Sequence, residues 1–249
     1  MLSFVATALV LGQDGLVTVA MTARERARAE ITREIIEASR AHLAADGAAA
    51  LSLRAVARDL GMVSSAVYRY VPNRDALLTL LIIDAYNGLG AAAEAADSSV
   101  RRADLLGRFL AVARAVRRWA IEHPHEYALI YGSPVPGYAA PEDTVGPATR
   151  VPLVLVGILV DLATSGAAPE PRRLSRKVRS SLAPLMHGIP DAVGDDLMLR
   201  GLAAWGTMLG TISLELFGHL HNVIDEDPEL RDAFFDEQMS RVSGGLGLA

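Results

Sequence analysis

LSLRAVARDLGMVSSAVYRYVPNRD, residues Leu51 to Asp75, reads as two short helices joined by a tight turn, with a third helix beginning as it ends. Leu53, Val56, Ala57 and Leu60 recur at helical spacing behind Ser52, a residue type whose hydroxyl caps free backbone N–H groups. Gly61 ends that helix, because glycine enters the left-handed region without a Cβ penalty and lets the next helix leave at a steep angle. In the second helix, about 100° of rotation per residue puts Val63, Val67 and Val71 on the inward side. Ser65, Tyr68 and Arg69 then point outward, with Ser64 and Tyr70 on the flanks. Small hydroxyls, a phenol and a guanidinium make a poor core and a good surface for reading a groove. Pro72 stops the helix, and Asn73 can cap the next one, whose apolar face begins at Leu77 and Leu78. The unit is a helix-turn-helix.

Ala57 to Leu78, with Gly61, Tyr68, Pro72, Arg74 and Asp75 in place, resembles the DNA-binding domain of the TetR family of bacterial transcriptional regulators. The likeness extends over residues 24 to 82. It departs where the family often has Ser or Thr before the recognition helix, here Val63, and where it usually has histidine and an aromatic after Tyr-x, here Tyr70 and Val71. These changes bear on individual phosphate contacts and leave the architecture alone. The resemblance implies an all-α chain in which Ser64, Ser65, Tyr68 and Arg69 enter the major groove. Ser52, Tyr70 and Arg74, with backbone N–H groups at helix starts, would hold phosphates. One recognition helix covers only a few base pairs, so the expected partner is a palindromic double-stranded operator bound by a homodimer.

Charge is distributed in keeping with this. The whole chain of 249 residues carries −5, but residues 21–75 hold nine Arg against seven Asp or Glu, so the excess of acid lies elsewhere. Lys177 is the sole lysine; arginine forks onto phosphate, although a GC-rich coding bias explains the preference equally well. With 51% hydrophobic and 5% aromatic side chains the chain can bury a substantial helical core. The absence of cysteine removes thiolate catalysis, disulfides and Cys-based zinc sites together.

Residues 1–20 contain an apolar run, Phe4 to Leu11, too short to span a bilayer, broken by Gln13 and Asp14, and lacking a basic n-region. They read as a non-native or disordered extension ahead of a working chain that starts near Met21. Residues 21–96 form the DNA-binding domain with its connecting helix. Within it, Arg24 to Asp46 is a helix with the stripe Ile31, Ile35, Ile36, Ser39 and Leu43, closed at Gly47. Arg24, Arg26 and Arg28 can reach phosphates, yet the interleaved Glu25 and Glu30 favour a solvated charged face. Asp97-Ser98-Ser99 marks the boundary to a second domain, 97–249, for ligand binding and dimerisation.

In that domain the spacing predicts helices over 104–122, with Leu105, Leu106, Phe109, Val112, Val116 and Trp119 on one side, and over 126–131. A Pro- and Gly-rich loop, 132–143, separates them from a strongly apolar helix over 144–165, in which Pro152 is a candidate for the true start. Helices follow over 174–187 and 195–221. In the latter, Met198, Leu202, Trp205, Leu209, Ile212 and Leu216 form an apolar seam, while Gly201, Gly206, Gly210 and Ser213 leave notches for a second helix. Part of this helix should meet its own copy in an isologous contact. Residues 228–240 form a short terminal helix, with GGLGLA as a loose end.

WAIEHPHEYALIYGSPVPGY (119–138) and WGTMLGTISLELFGHL (205–220) resemble the C-terminal, ligand-sensing and dimerising domain of a TetR subgroup named for a Trp-His-Gly signature. The chain departs at Leu209, where the signature histidine would stand before Gly210. Trp119, Tyr127, Tyr131, Trp205 and Leu209 are the candidate pocket residues, against the plain alternative that these side chains only pack the core. His123 with His125, and His219 with His221, are two apart and lack an accompanying ligand set, so neither pair reads as a metal site. No cofactor is expected, and no catalytic spacing stands out. The expected function is a ligand-responsive, cytoplasmic DNA-binding regulator, a repressor released by a small apolar or amphipathic molecule. The alternatives are a DNA-binding dimer without small-molecule input and, more remotely, a helical-bundle enzyme.

Overall fold

The computed structural model describes residues 22–248, so the reading of 1–20 concerns residues outside it. Among the described residues there are ten α-helices and no strand: α1 Ala23–Asp46, α2 Leu53–Asp59, α3 Ser64–Val67, α4 Arg74–Ser98, α5 Leu105–Glu122, α6 Pro124–Tyr131, α7 Val145–Ser165, α8 Arg176–Met186, α9 Asp195–Leu216 and α10 Pro228–Leu246. The all-α expectation is met. Packing divides the described residues into two compact units, a head of 22–87 and 123–144 and a bundle of 88–122 and 145–248. Helix α4 contributes its first half to one and its second half to the other.

In the head, Thr22 and Glu25 start α1 with a reciprocal capping box, a Thr-x-x-Glu pattern visible in the sequence. Ile35, Leu43, Val56, Val67, Leu77 and Leu78 close the core around α1, α2, α3 and α4. Helix α6 packs against α1, and Arg40 ties the corner together: its guanidinium meets Asp84 on α4, Glu37 at 2.7 Å and Glu126 on α6 at 3.8 Å. Tyr138, from the loop after α6, meets the Thr79 hydroxyl at 2.9 Å.

The bundle is built from the second half of α4 with α5, α7, α8, α9 and α10. Phe109, Val112, Val116 and Trp119 are buried along α5 as the spacing predicts, and so are two arginines. Arg108, with its side chain 3% exposed, holds Asp97 at the end of α4 at 2.8 Å and Asp161 on α7 at 2.6 Å. Arg117 grips both carboxylate oxygens of Glu215 on α9, at 2.7 and 2.8 Å, reaches Asp232 on α10, and lies over the Phe235 ring. Burial alone would raise the Asp161 carboxyl, but Arg108 and Arg102 outweigh it and hold it below the usual aspartate range. Arg150 does the same for Glu94.

Three boundaries differ from the sequence reading. Pro152 lies inside α7 rather than at its start. Helix α9 ends at Leu216, with turns through 217–220. Up to Leu248 the glycine-rich end is not loose: α10 continues to Leu246, and Leu246 and Leu248 are buried, so apolar contact outweighs the poor helix propensity of two glycines. At the notch expected of Gly201 a Cβ would lie 2.5 Å from Leu159 Cδ1 on α7, so the close approach is real there. By length and composition, α4, residues 142–165 and α9 are each apolar enough to cross a membrane.

Candidate nucleic-acid interface

Helix α3 is a single α turn, and the chain keeps winding beyond it: Tyr68 N–H bonds Ser64, Tyr70 N–H bonds Val67 at 2.9 Å, and Val71 N–H bonds Val67 at 3.0 Å. Val67 and Val71 are completely buried, which fixes the rotation of this segment about its axis. Ser65, Tyr68 and Arg69 are therefore exposed on the opposite side, while Ser64 and Tyr70 are half-buried on the flanks. Gly61 has φ +63, as the steep turn between α2 and α3 requires. Val63 is a correction: it is 71% exposed. It occupies the N-cap with extended dihedrals, so the helical rotation that carries Val67 and Val71 inward does not begin until Ser64.

The supporting residues divide between structural and open roles. Asn73 caps α4 as expected, its Oδ1 accepting the Ala76 N–H at 2.8 Å. The Ser52 hydroxyl makes no capping bond to α2; its backbone carbonyl takes the Ala55 and Val56 N–H groups, and the side chain stands exposed. Arg74 turns inward, its Nη2 donating to the carbonyls of Ala48 at 2.8 Å and Ala49 at 3.2 Å, which fixes the short turn ahead of α2. Arg28 lies 5.4 Å from the Tyr70 ring centroid, a cation–π contact that sets the position of Tyr70. Nothing in the local spacing announces this pair. His42 on α1 meets Asp59 at the end of α2 at 2.6 Å.

Residues 35–81 match the model of the bacterial regulatory proteins of the tetR family, and residues 109–242 match that of the tetracyclin repressor-like C-terminal domain. The chain is 43% identical over 219 residues to the HTH-type transcriptional regulators Rv1816 of Mycobacterium tuberculosis and Mb1846 of Mycobacterium bovis, an alignment covering 82% of this chain and 88% of each relative. The crystal structure of the putative regulatory protein SCO4313 superposes with a TM-score of 0.72 at 32% identity, over 90% of this chain and all of that one. The chain belongs to the TetR family. It is a DNA-binding transcriptional regulator and not an enzyme.

As a TetR chain it divides the candidate effector residues between its two units. Tyr127 and Tyr131 lie in the head on α6, with ring centroids 5.1 Å apart, and Tyr86 of α4 meets Tyr131 edge-on at 6.0 Å. Tyr86 completes a tyrosine group that sequence reasoning missed, because it lies 41 positions before Tyr127. Its hydroxyl donates to the Ile130 carbonyl at 3.3 Å. Burial pushes both the Tyr86 and Tyr131 phenols up, so neither ionises near neutral pH. Trp119, Trp205 and Leu209 belong to the bundle. Trp119 is buried, its indole Nε1 so close to Gly88 that a Cβ there would lie 3.1 Å from it, and Trp205 and Leu209 are half-buried on α9.

Proposed function

We propose that two copies of this chain hold a palindromic operator in the cytoplasm and release it when a small apolar or amphipathic molecule binds, so that the protein acts as a repressor. The observation that carries the reading is the outward face of the α3 segment. Ser65, Tyr68 and Arg69 are exposed on a base, Val67 and Val71, that is completely buried, which is the arrangement a groove-reading helix needs. Ser64 completes the base-reading set, Ser52 and Tyr70 take phosphates beside it, and Arg74, expected to do the same, serves by holding the turn ahead of α2.

Dimerisation through α9 is supported by its uncovered side. Ala203, Gly206, Thr207, Gly210 and Leu214 are exposed at helical spacing, and a Cβ at Gly206 or Gly210 would meet nothing. Small residues there let a second α9 approach closely. We read the apolar length of α7 and α9 in the same way, as bundle core and subunit seam rather than membrane span. The residues assigned to the effector are Tyr127 and Tyr131 of the head and Trp119, Trp205 and Leu209 of the bundle, each set taken within its own unit. Because α4 belongs to both units, a shift of its bundle half is passed to its head half, and a coupling of about 1–3 kcal/mol is enough to weaken operator binding severalfold to a hundredfold.

The test is a fluorescence-anisotropy titration of the purified protein against DNA flanking its own gene, at several salt concentrations. Saturable binding to one palindrome by two subunits or a multiple of two, with a steep salt slope, supports the reading. Folded, dimeric protein that binds all DNA weakly and alike rejects it. A compound screen by thermal shift then separates the sensor from a dimer without small-molecule input.

A further inference from the structure

The segment RRLSRKVRS, residues 172–180, places five basic residues and no acidic one between Arg172 and Arg179. Outside it, residues 97–249 carry ten basic and nineteen acidic side chains, so this is an isolated positive stretch in an acidic half of the chain. All five basic side chains are exposed. Arg172, Arg173 and Arg179 line a single cleft of about 580 Å³ within the bundle, and Leu174, Pro171 and Ala192 give the same cleft apolar surface.

The backbone around the cleft is fixed. Asp196, nearly buried at the start of α9, accepts the Arg172 N–H at 3.1 Å and the Arg200 Nε at 2.8 Å. Arg200 reaches on to the carbonyl of Gly245 at 3.1 Å. Burial would raise the Asp196 carboxyl, but these bonds hold it low, so the brace stays ionised. With Asp196 and Arg200 closed as a pair, the lining keeps three arginines against Glu170 and Asp195. The guanidinium groups of Arg173 and Arg179 engage no ion-pair or hydrogen-bond partner among the described residues. Three arginines against two carboxylates leave the cleft with an excess of positive charge, which an anionic ligand would offset.

We propose that this cleft binds an organic anion, a carboxylate or phosphate head held by Arg173 and Arg179 with a short apolar body against Leu174, Pro171 and Ala192. A guanidinium presents a planar fork that fits either head bidentately, and the volume suits a small molecule. The site shares no lining residue with the aromatic group assigned to the effector. It would give the regulator a second input, on the bundle.

The experiment is calorimetric titration of the full chain, without DNA and at constant ionic strength, with hexanoate, hexyl phosphate, inorganic phosphate and, as a cationic control, hexylammonium. The expected result is saturable binding of hexanoate or hexyl phosphate at one site per chain, tighter than inorganic phosphate, with none for hexylammonium. The better of the two amphiphiles identifies the head group. R173Q/R179Q weakens binding at least about tenfold, the effect of losing charge-assisted hydrogen bonds, whereas R176Q, outside the lining, leaves it unchanged. Should the double variant fold poorly by circular dichroism, R179Q alone replaces it. Absence of saturable binding by either amphiphile, unchanged binding in R173Q/R179Q, or an equal loss in R176Q overturns the proposal. None of these outcomes touches the DNA-binding reading, which is measured separately.

Discussion

Arg69 and Arg74 are both expected to serve DNA binding, and the structure separates what each does. Arg69 is exposed and has no ion pair or hydrogen bond among the described residues, so Arg69→Ala should change folding stability by no more than about 0.5 kcal/mol. If its guanidinium meets a base edge, each head loses about 1–3 kcal/mol, which for two heads is about 2–6 kcal/mol of operator affinity. If it meets a phosphate instead, the loss is smaller and the salt slope falls by about one per head. Arg74 is different: it spans from α4 to the carbonyls of Ala48 and Ala49, the first bond part-buried and the second exposed. Losing the part-buried, charge-assisted bond costs about 1.5–3 kcal/mol, and the exposed one adds little because water replaces it. Arg74→Ala should therefore destabilise the head by about 2 kcal/mol and weaken DNA binding together. Anisotropy titrations across a salt series, paired with urea unfolding of both variants, make the comparison. Unaltered affinity and slope in Arg69→Ala, or a stability loss in it equal to that of Arg74→Ala, would refute the reasoning.

Gly61→Ala should cost about 1–2 kcal/mol in urea unfolding, since a Cβ at φ +63 meets no atom and only the left-handed backbone is penalised, and Gly61→Asn should cost less. Equal losses would mean that something other than the dihedral controls the turn. Val63→Thr should raise thermal stability by about 0.5–1 kcal/mol by supplying the side-chain cap that α3 lacks, and should tighten DNA binding through the new hydroxyl. Arg108→Met leaves Asp97 without its cation and Asp161 with only the exposed Arg102, and should cost about 3 kcal/mol in thermal unfolding, with partial recovery on adding Asp97→Asn. Asp161, Asp196 and Glu94 are held below the ordinary carboxylate range in the fold. The unfolded chain therefore takes up protons first as pH falls: their stabilisation is complete above about pH 5 and is lost through pH 4 and below, and Asp161→Asn should flatten that acid limb of a melting-temperature profile.

Local period and turn chemistry made most of the head legible. Gly61, Asn73 and the burial of Val67, Val71, Leu77 and Leu78 follow from spacing that any helical wheel reveals. The same wheel failed at Val63, because a helix's periodicity starts after its N-cap and the boundary lay one residue further along than the pattern implied. In the tail, composition failed in the opposite direction. Two glycines read as fraying, whereas Leu246 and Leu248 find apolar cover that propensity cannot report. Tyr127 and Tyr131, four apart on one helix face, were legible as a pair. Tyr86, Arg108 and the contact of α6 with α1 were not, since each depends on residues distant in sequence.

The positive charge of the head shows why counting was a weak guide to the DNA surface. Nine arginines over 21–75 suggested a basic reading head, but Arg40 and Arg74 are committed to internal carboxylates and carbonyls and Arg28 to the Tyr70 ring. In the bundle Arg108, Arg117 and Arg150 are likewise paired with carboxylates. A binding surface needs an arginine that folding leaves unspent and that stands on a groove-reading face or over a cleft. By that criterion Arg69 on the α3 segment and the pair Arg173 and Arg179 over the bundle cleft belong to one class, fixed by a well-braced backbone and left without a partner by it. Both positions are accordingly where charge removal should change binding while leaving the fold almost untouched.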